Sequence, residues 1–126
     1  LLVVNAAKID EDFEWLKKHL EQGRSSDQPG GLENPAACSL HNRSANFGGV
    51  AIQGPRTIDL FRSLLGPDVE LPQRNHIRDF TIASMPLSIA RTGYTGEDGV
   101  EVFFRAPDAA KLWNLVLERG AKLGLK

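Results

Sequence analysis

Short β-type runs interleaved with two amphipathic helical stripes predict an α+β fold for the larger part of this chain. Three observations carry that expectation. Apolar residues alternate with small or polar ones at 80–83, 87–90 and 100–104, as half-buried strands require. Apolar positions at helical spacing fill 55–65 and 107–119. From Gly49 the order is therefore strand, helix, two or three antiparallel strands, helix. That is the split β-α-β pattern of ferredoxin-like folds, with helices on one sheet face. The chain opens at Leu1 rather than methionine and closes on Leu123-Gly124-Leu125-Lys126, which reads as the approach to one more strand. A fragment truncated at both ends is expected.

In chain order, Leu1-Leu2-Val3-Val4 is a continuous apolar run of the kind that forms a buried strand. Asn5 at its end reads either as a residue facing a site or as a turn residue that stops the strand. Residues 10–22 make the clearest helix, because Ile9, Phe13, Leu16 and Leu20 form one stripe. Asp10 is the expected N-cap, Glu11, Asp12 and Glu14 crowd the turns where the helix dipole favours anions, and Gly23 is the expected stop. Residues 24–37 turn to Ser, Asp, Gln, Pro, Gly and Asn, and read as a flexible loop or junction between 1–23 and 38–126. Residues 39–43 read as a strand with an exposed His41-Asn42-Arg43 end.

Gly49-Val50-Ala51-Ile52-Gln53 is a stronger strand. Gly54-Pro55 opens a helix with proline at its first position, where the missing N–H costs nothing. Ile58, Phe61, Leu64 and Leu65 face inward, and Gly66-Pro67 ends it. A hairpin follows, pairing 80–83 with 87–90 around Met85-Pro86. Strand 100–104 comes next, then a helix opened by Pro107-Asp108, with Ala109, Leu112, Leu115 and Val116 inward and Gly120 at its end.

The chain is organised around Arg91-Thr92-Gly93-Tyr94-Thr95-Gly96-Glu97-Asp98-Gly99-Val100-Glu101. Glycines at every third position mark a backbone that turns sharply several times, and Asp98-Gly99 reads as a tight hairpin turn. One aromatic and several carboxylates converge within a few residues, as a small-molecule site requires. Val100, Val102 and Phe104 share one strand face, so Glu101 and Phe103 share the other.

Composition removes several function classes. A net charge of −1 argues against a nucleic-acid surface. No apolar run approaches the ~20 residues of a membrane span. The single cysteine, Cys38, excludes an internal disulfide and points to a reducing compartment. His19, His41 and His76 stand apart without cysteines nearby, so no metal-ligand spacing exists and no metal is expected.

The glycine loop closely resembles the signature of the glycine cleavage system T protein family, the tetrahydrofolate-dependent aminomethyltransferases. Leu2-Val3-Val4-Asn5-Ala6, Val50-Ala51-Ile52-Gln53-Gly54-Pro55 and the closing Gly120-Ala121-Lys122-Leu123-Gly124-Leu125-Lys126 agree in order and spacing. The resemblance implies that residues 38–126 are the ferredoxin-like part of a folate-binding aminomethyltransferase domain. It implies transfer of an aminomethyl group from the lipoyl arm of a partner, H protein, to tetrahydrofolate as co-substrate, with ammonia released and 5,10-methylenetetrahydrofolate formed. Glu101 would pair with the pterin, Tyr94 would contact the folate, and Val3 and Asn5 would line the same pocket. The family's catalytic aspartate lies upstream of the segment resembling residues 1–5, and a folate-holding arginine lies beyond the segment resembling Lys126. No catalytic residue is therefore expected within this chain, and the isolated chain is expected to be inactive. The implied location is the cytoplasm of a bacterium, or the mitochondrial matrix in a eukaryote. Two alternatives stay open. One is a folate-dependent demethylase or a sarcosine/dimethylglycine oxidase module. The other is a non-catalytic folate-binding iron–sulfur assembly factor, although Cys38-Ser39 lacks the Lys-Gly-Cys-Tyr-type loop of such proteins.

Overall fold

Residues 2–25, 39–93 and 97–126 are described by the computed structural model, which divides into two units, Leu1–Ser44 and Ala45–Lys126. Leu1, residues 26–38 with Cys38, and Tyr94 lie outside the described residues.

The first unit is built on helix α1, Ile9–Ser25. Its predicted stripe of Ile9, Phe13, Leu16 and Leu20 is the half-buried face. Both predicted ends move. A 3-10 turn, Ala6–Lys8, precedes the helix, and Asn5 caps it by accepting the Ala7 N–H on Oδ1 at 3.1 Å. Asp10 is therefore the second residue of α1 and not its cap. Gly23 lies inside α1, since one glycine costs a helix only about 1 kcal/mol. No strand forms at residues 2–4, and Leu2 and Val3 are 67% and 66% exposed. An apolar run becomes a strand only when a neighbour takes its N–H and C=O groups, and the described part of this unit contains no strand. Residues 39–43 are not a strand either. Asn42 Oδ1 accepts the Ser44 N–H at 3.0 Å, and that local bond bends the backbone into a 3-10 turn, Ser44–Asn46.

The second unit holds a four-stranded sheet of β1 (Phe47–Gln53), β2 (Ile77–Ile82), β3 (Met85–Ala90) and β4 (Gly99–Arg105), in the order β1-β4-β3-β2. Every neighbouring pair is antiparallel. The class is the α+β one expected. Its wiring is a meander of β2, β3 and β4, with β1 closing on the free edge of β4. The helix-linked strands β1 and β2 thus occupy opposite edges and run antiparallel, whereas a split β-α-β unit would run them parallel. β4 is central because β1 pairs along the edge that β3 leaves free.

One sheet face is the core. Val100, Val102 and Phe104 of β4 lie level with Ile52, Val50 and Gly48 of β1, and with Ile89 and Leu87 of β3. Helix α2 (Thr57–Leu65) adds Leu60 and Phe61, and helix α3 (Ala109–Ala121) adds Leu112 and Val116. Val100, Val102 and Ile89 are fully buried, each contributing about 1.5–3 kcal/mol through lost water contact.

Three predicted boundaries shift for local reasons. Helix α2 starts at Thr57, two residues beyond Pro55, where the Thr57 hydroxyl donates to the Ile52 carbonyl. The β2–β3 turn is Ala83-Ser84, both at positive φ of 48° and 66°, and not Met85-Pro86. Pro86 sits within β3 opposite Thr81, one residue before the β3–β4 ladder begins at Leu87, so its missing N–H breaks no bond to β4. Helix α3 runs past Gly120 to a Schellman end. The Leu125 N–H donates to Gly120 O and the Gly124 N–H to Ala121 O, with Gly124 at φ 80°. The tail that read as a further strand is this cap.

Candidate functional site

Strand β4 carries the expected carboxylate where its parity requires. Glu101 lies on the face opposite Val100 and Val102, level with Ala51 of β1 on one side and Ala90 of β3 on the other. Gly49 and Phe103 continue the same face, and a Cβ on Gly49 would touch the Phe103 ring at 3.4 Å. Ala51 is exposed and Ala90 is buried, so the half-buried Glu101 is reached from the β1 side, on a strand bonded along both edges. Thr92 donates its hydroxyl to Glu101 Oε2, which fixes one carboxylate oxygen and leaves Oε1 to accept from elsewhere.

The base of the glycine loop is fastened three times. Arg91 grips Asp98 with two parallel bonds, Nε to Oδ1 at 3.0 Å and an Nη to Oδ2 at 2.6 Å. Asp98 also accepts the Gly99 N–H on its side chain and the Gly54 N–H on its carbonyl, each near 3 Å. These bonds to Arg91 hold the Asp98 carboxyl below the usual carboxylate range and raise the Arg91 guanidinium above its usual value. The pair is partly exposed, so its net stabilisation stays within about 1 kcal/mol.

The third fastener is Gln53, the last residue of β1. Its side chain lies across the two loop glycines: a Cβ on either Gly93 or Gly99 would collide with the Gln53 amide. The amide nitrogen donates to Val100 O at 3.3 Å and to Thr92 O at 3.5 Å. Gly99 begins β4 and is absent from the positive-φ glycines. Its lack of a side chain answers the bulk of Gln53 rather than a hairpin turn.

A cleft of about 270 Å³ opens beside the loop, lined by Arg74, Asn75, Arg91, Thr92, Gly93, Glu97, Asp98 and Gly99. That is below the roughly 300–1,000 Å³ of sites that enclose a drug-sized ligand. The described residues thus offer a polar cleft beside an open sheet face rather than an enclosed pocket. Glu101 does not line the cleft, and Thr92 joins the two. Glu97, the other loop glutamate, is exposed and has no hydrogen-bond or ion-pair partner among the described residues.

Of the residues singled out in the sequence, Glu101 sits in the second unit. Val3 and Asn5 belong to the first, where Val3 is exposed and Asn5 serves as a helix cap. Tyr94 lies outside the described residues. Thr92 and Gln53 are the residues around Glu101 and the loop that sequence reasoning passed over. Their signal was indirect: a glycine after Thr92, another before Val100, and a strand ending in glutamine before Gly54-Pro55.

All of residues 1–126 match the family model described as the GCVT N-terminal domain. Aminomethyltransferases of Bacillus cereus (strain B4264) and Bacillus anthracis (strain CDC 684 / NRRL 3495) are similar to the chain. Each is 35% identical over 127 aligned residues that take in 100% of this chain and 31% of the relative. The chain therefore spans about a third of the length of these curated relatives.

Proposed function

The chain belongs to the GCVT N-terminal domain family, and from that premise we propose that it forms the folate-binding wall of an aminomethyltransferase. The proposed reaction moves a one-carbon unit from an aminomethyl group, held on the lipoyl sulfur of H protein, to tetrahydrofolate. Bonds from that carbon to sulfur and to the amine nitrogen break, and bonds to N5 and N10 of the folate form. The two N–H protons leave with ammonia and the restored thiol, so no oxidant is needed.

The observation that carries this reading is Glu101. A pterin presents a ring N–H beside an exocyclic amine, two parallel donors that one carboxylate accepts at once. Glu101 stands on a rigid central strand beside the exposed Ala51, where a flat ring can lie against the sheet. Thr92 holds the carboxylate from one side without occupying both oxygens. The family resemblance implies Tyr94 as a further folate contact. Among the described residues no helix is long and apolar enough to cross a membrane.

The test is an assay of the protein as naturally made, with tetrahydrofolate and aminomethylated H protein. Ammonia release that requires both supports the proposal. Folate-dependent oxidation or demethylation of sarcosine or dimethylglycine without H protein would replace it with the oxidase or demethylase reading. Folate binding with neither activity would favour a non-catalytic assembly factor.

A further inference from the structure

Glu101 is held by Thr92, and something must hold Thr92. The register supplies it. Ala90 lies opposite Glu101 and Gln53 lies opposite Gly99. Extending β3 by two residues puts Thr92 across β4 from Gln53, with only Gly99 between them. Any side chain at 99 would fill that gap, as the collision of a Cβ there with the Gln53 amide demonstrates. Because residue 99 is glycine, the Gln53 side chain crosses the strand and reaches the far side.

We infer that Gln53 is a positioning residue for the Glu101 carboxylate, acting through Thr92. Its amide bonds to Thr92 O and Val100 O at 3.5 and 3.3 Å are long, so each alone is a modest restraint. Together the two bonds tie the backbone on both sides of Gly99, and the packing of the amide supports them. The amide sits against the backbone at both Gly93 and Gly99, so the segment carrying Thr92 cannot settle onto the sheet without displacing Gln53. With its backbone fixed, Thr92 keeps its hydroxyl on Oε2 of Glu101. The carboxylate then meets a ligand with one rotamer already selected, which lowers the ordering cost of binding. Asn at 53 is one methylene too short to span the gap, whereas Gln reaches.

This inference rests on the folate reading above, and the experiment separates the two. Tetrahydrofolate binding is measured by calorimetry in the protein as naturally made, and in Gln53→Met, Thr92→Val and the double variant. Met keeps the length of the side chain but has no amide. Gln53→Met should weaken binding about 5- to 10-fold. In the Thr92→Val background the same change should cost less than about 2-fold, because the relay is already cut. Thr92→Ser, which keeps a hydroxyl, should recover most of the affinity. Unchanged affinity in Gln53→Met, or losses that simply multiply in the double variant, would overturn the inference. Amide hydrogen exchange in the ligand-free protein gives a readout independent of folate. Gln53→Met should speed exchange at Thr92 and Gly93 several-fold while leaving Val102 and Ile89 unchanged. If the parent protein binds no tetrahydrofolate, the function proposal fails. Unchanged exchange at Thr92 and Gly93 would then overturn the clamp on its own account.

Discussion

Exchanging Glu101 for glutamine, with Glu97→Gln as its control, isolates the proposed pterin contact. The two glutamates lie four residues apart and differ in every physical respect that matters. Glu101 is half-buried on a strand paired to β1 and β3, whereas Glu97 is exposed and, among the described residues, without a partner. In Glu101→Gln the amide can still turn its oxygen toward the Thr92 hydroxyl, which donates to the carboxylate in the parent. That choice points the NH2 group at the ligand's donors. One charge-assisted bond is lost and two donors face each other, a cost of roughly 1.5–3 kcal/mol. The expected loss in tetrahydrofolate affinity is about 10- to 150-fold. Glu97→Gln removes a charge that water already solvates and should change affinity by less than about 3-fold. Calorimetry measures both, with circular dichroism confirming that each variant folds. If Glu97→Gln is the more damaging, Glu101 is not the pterin acceptor and the strand-parity argument fails with it.

Three further outcomes follow from the same structure. Gly99→Ala should cost about 1–3 kcal/mol by overpacking against the Gln53 amide, and Gln53→Ala in the same chain should recover part of it; denaturant midpoints decide, and equal loss in both would refute the collision. The Asp98 carboxyl is held below its ordinary value by Arg91, so the pair's contribution is present above the usual carboxylate range. It is lost as pH falls through the lowered value, and Asp98→Asn should flatten the acid limb of the stability curve by up to about 1 kcal/mol, read by thermal melts from pH 7 downward. Gly124→Ala at φ 80° should cost about 1 kcal/mol through the strained Schellman cap, and an unchanged denaturation midpoint would show that α3 ends differently.

Strand parity was legible because it is local. Val100, Val102 and Phe104 declare one face, and the burial of all three put Glu101 on the other. Helix stripes were legible for the same reason, as Leu112 and Val116 demonstrate. Helix ends were not, because several residues compete for each boundary. Asn5 caps where Asp10 was expected, and Gly124 terminates where Gly120 was expected. Gly120 is needed for a different purpose, since a Cβ there would strike Leu125 as it folds back. The Ala83-Ser84 turn was hidden because neither residue is an ordinary choice for positive φ, while the neighbouring Met85-Pro86 looked like punctuation. Gln53 and Thr92 were illegible for a topological reason. They meet only because β1 and the end of β3 flank β4, and the helix α2 and strand β2 separate them in sequence.

That topology also lets one strand serve stability and the proposed binding without conflict. The inner face of β4 is committed to the core, and its three apolar side chains anchor the strand whatever the outer face carries. Ala51 opposite Glu101 is exposed and contributes little packing, so it leaves room for a ligand. Ladder bonds to β1 and β3 then fix the backbone of Glu101 to within the play of the core itself. A half-buried carboxylate on a surface loop would need its own ordering free energy each time a ligand bound. On β4 that ordering is supplied by Val100, Val102 and Phe104, and only the carboxylate's own rotation remains to be fixed. Thr92 fixes the rotation, and Gln53 fixes Thr92. Substitutions on the two faces should accordingly separate: inner-face truncations lower the denaturation midpoint, whereas Glu101→Gln and Thr92→Val change affinity at nearly constant stability.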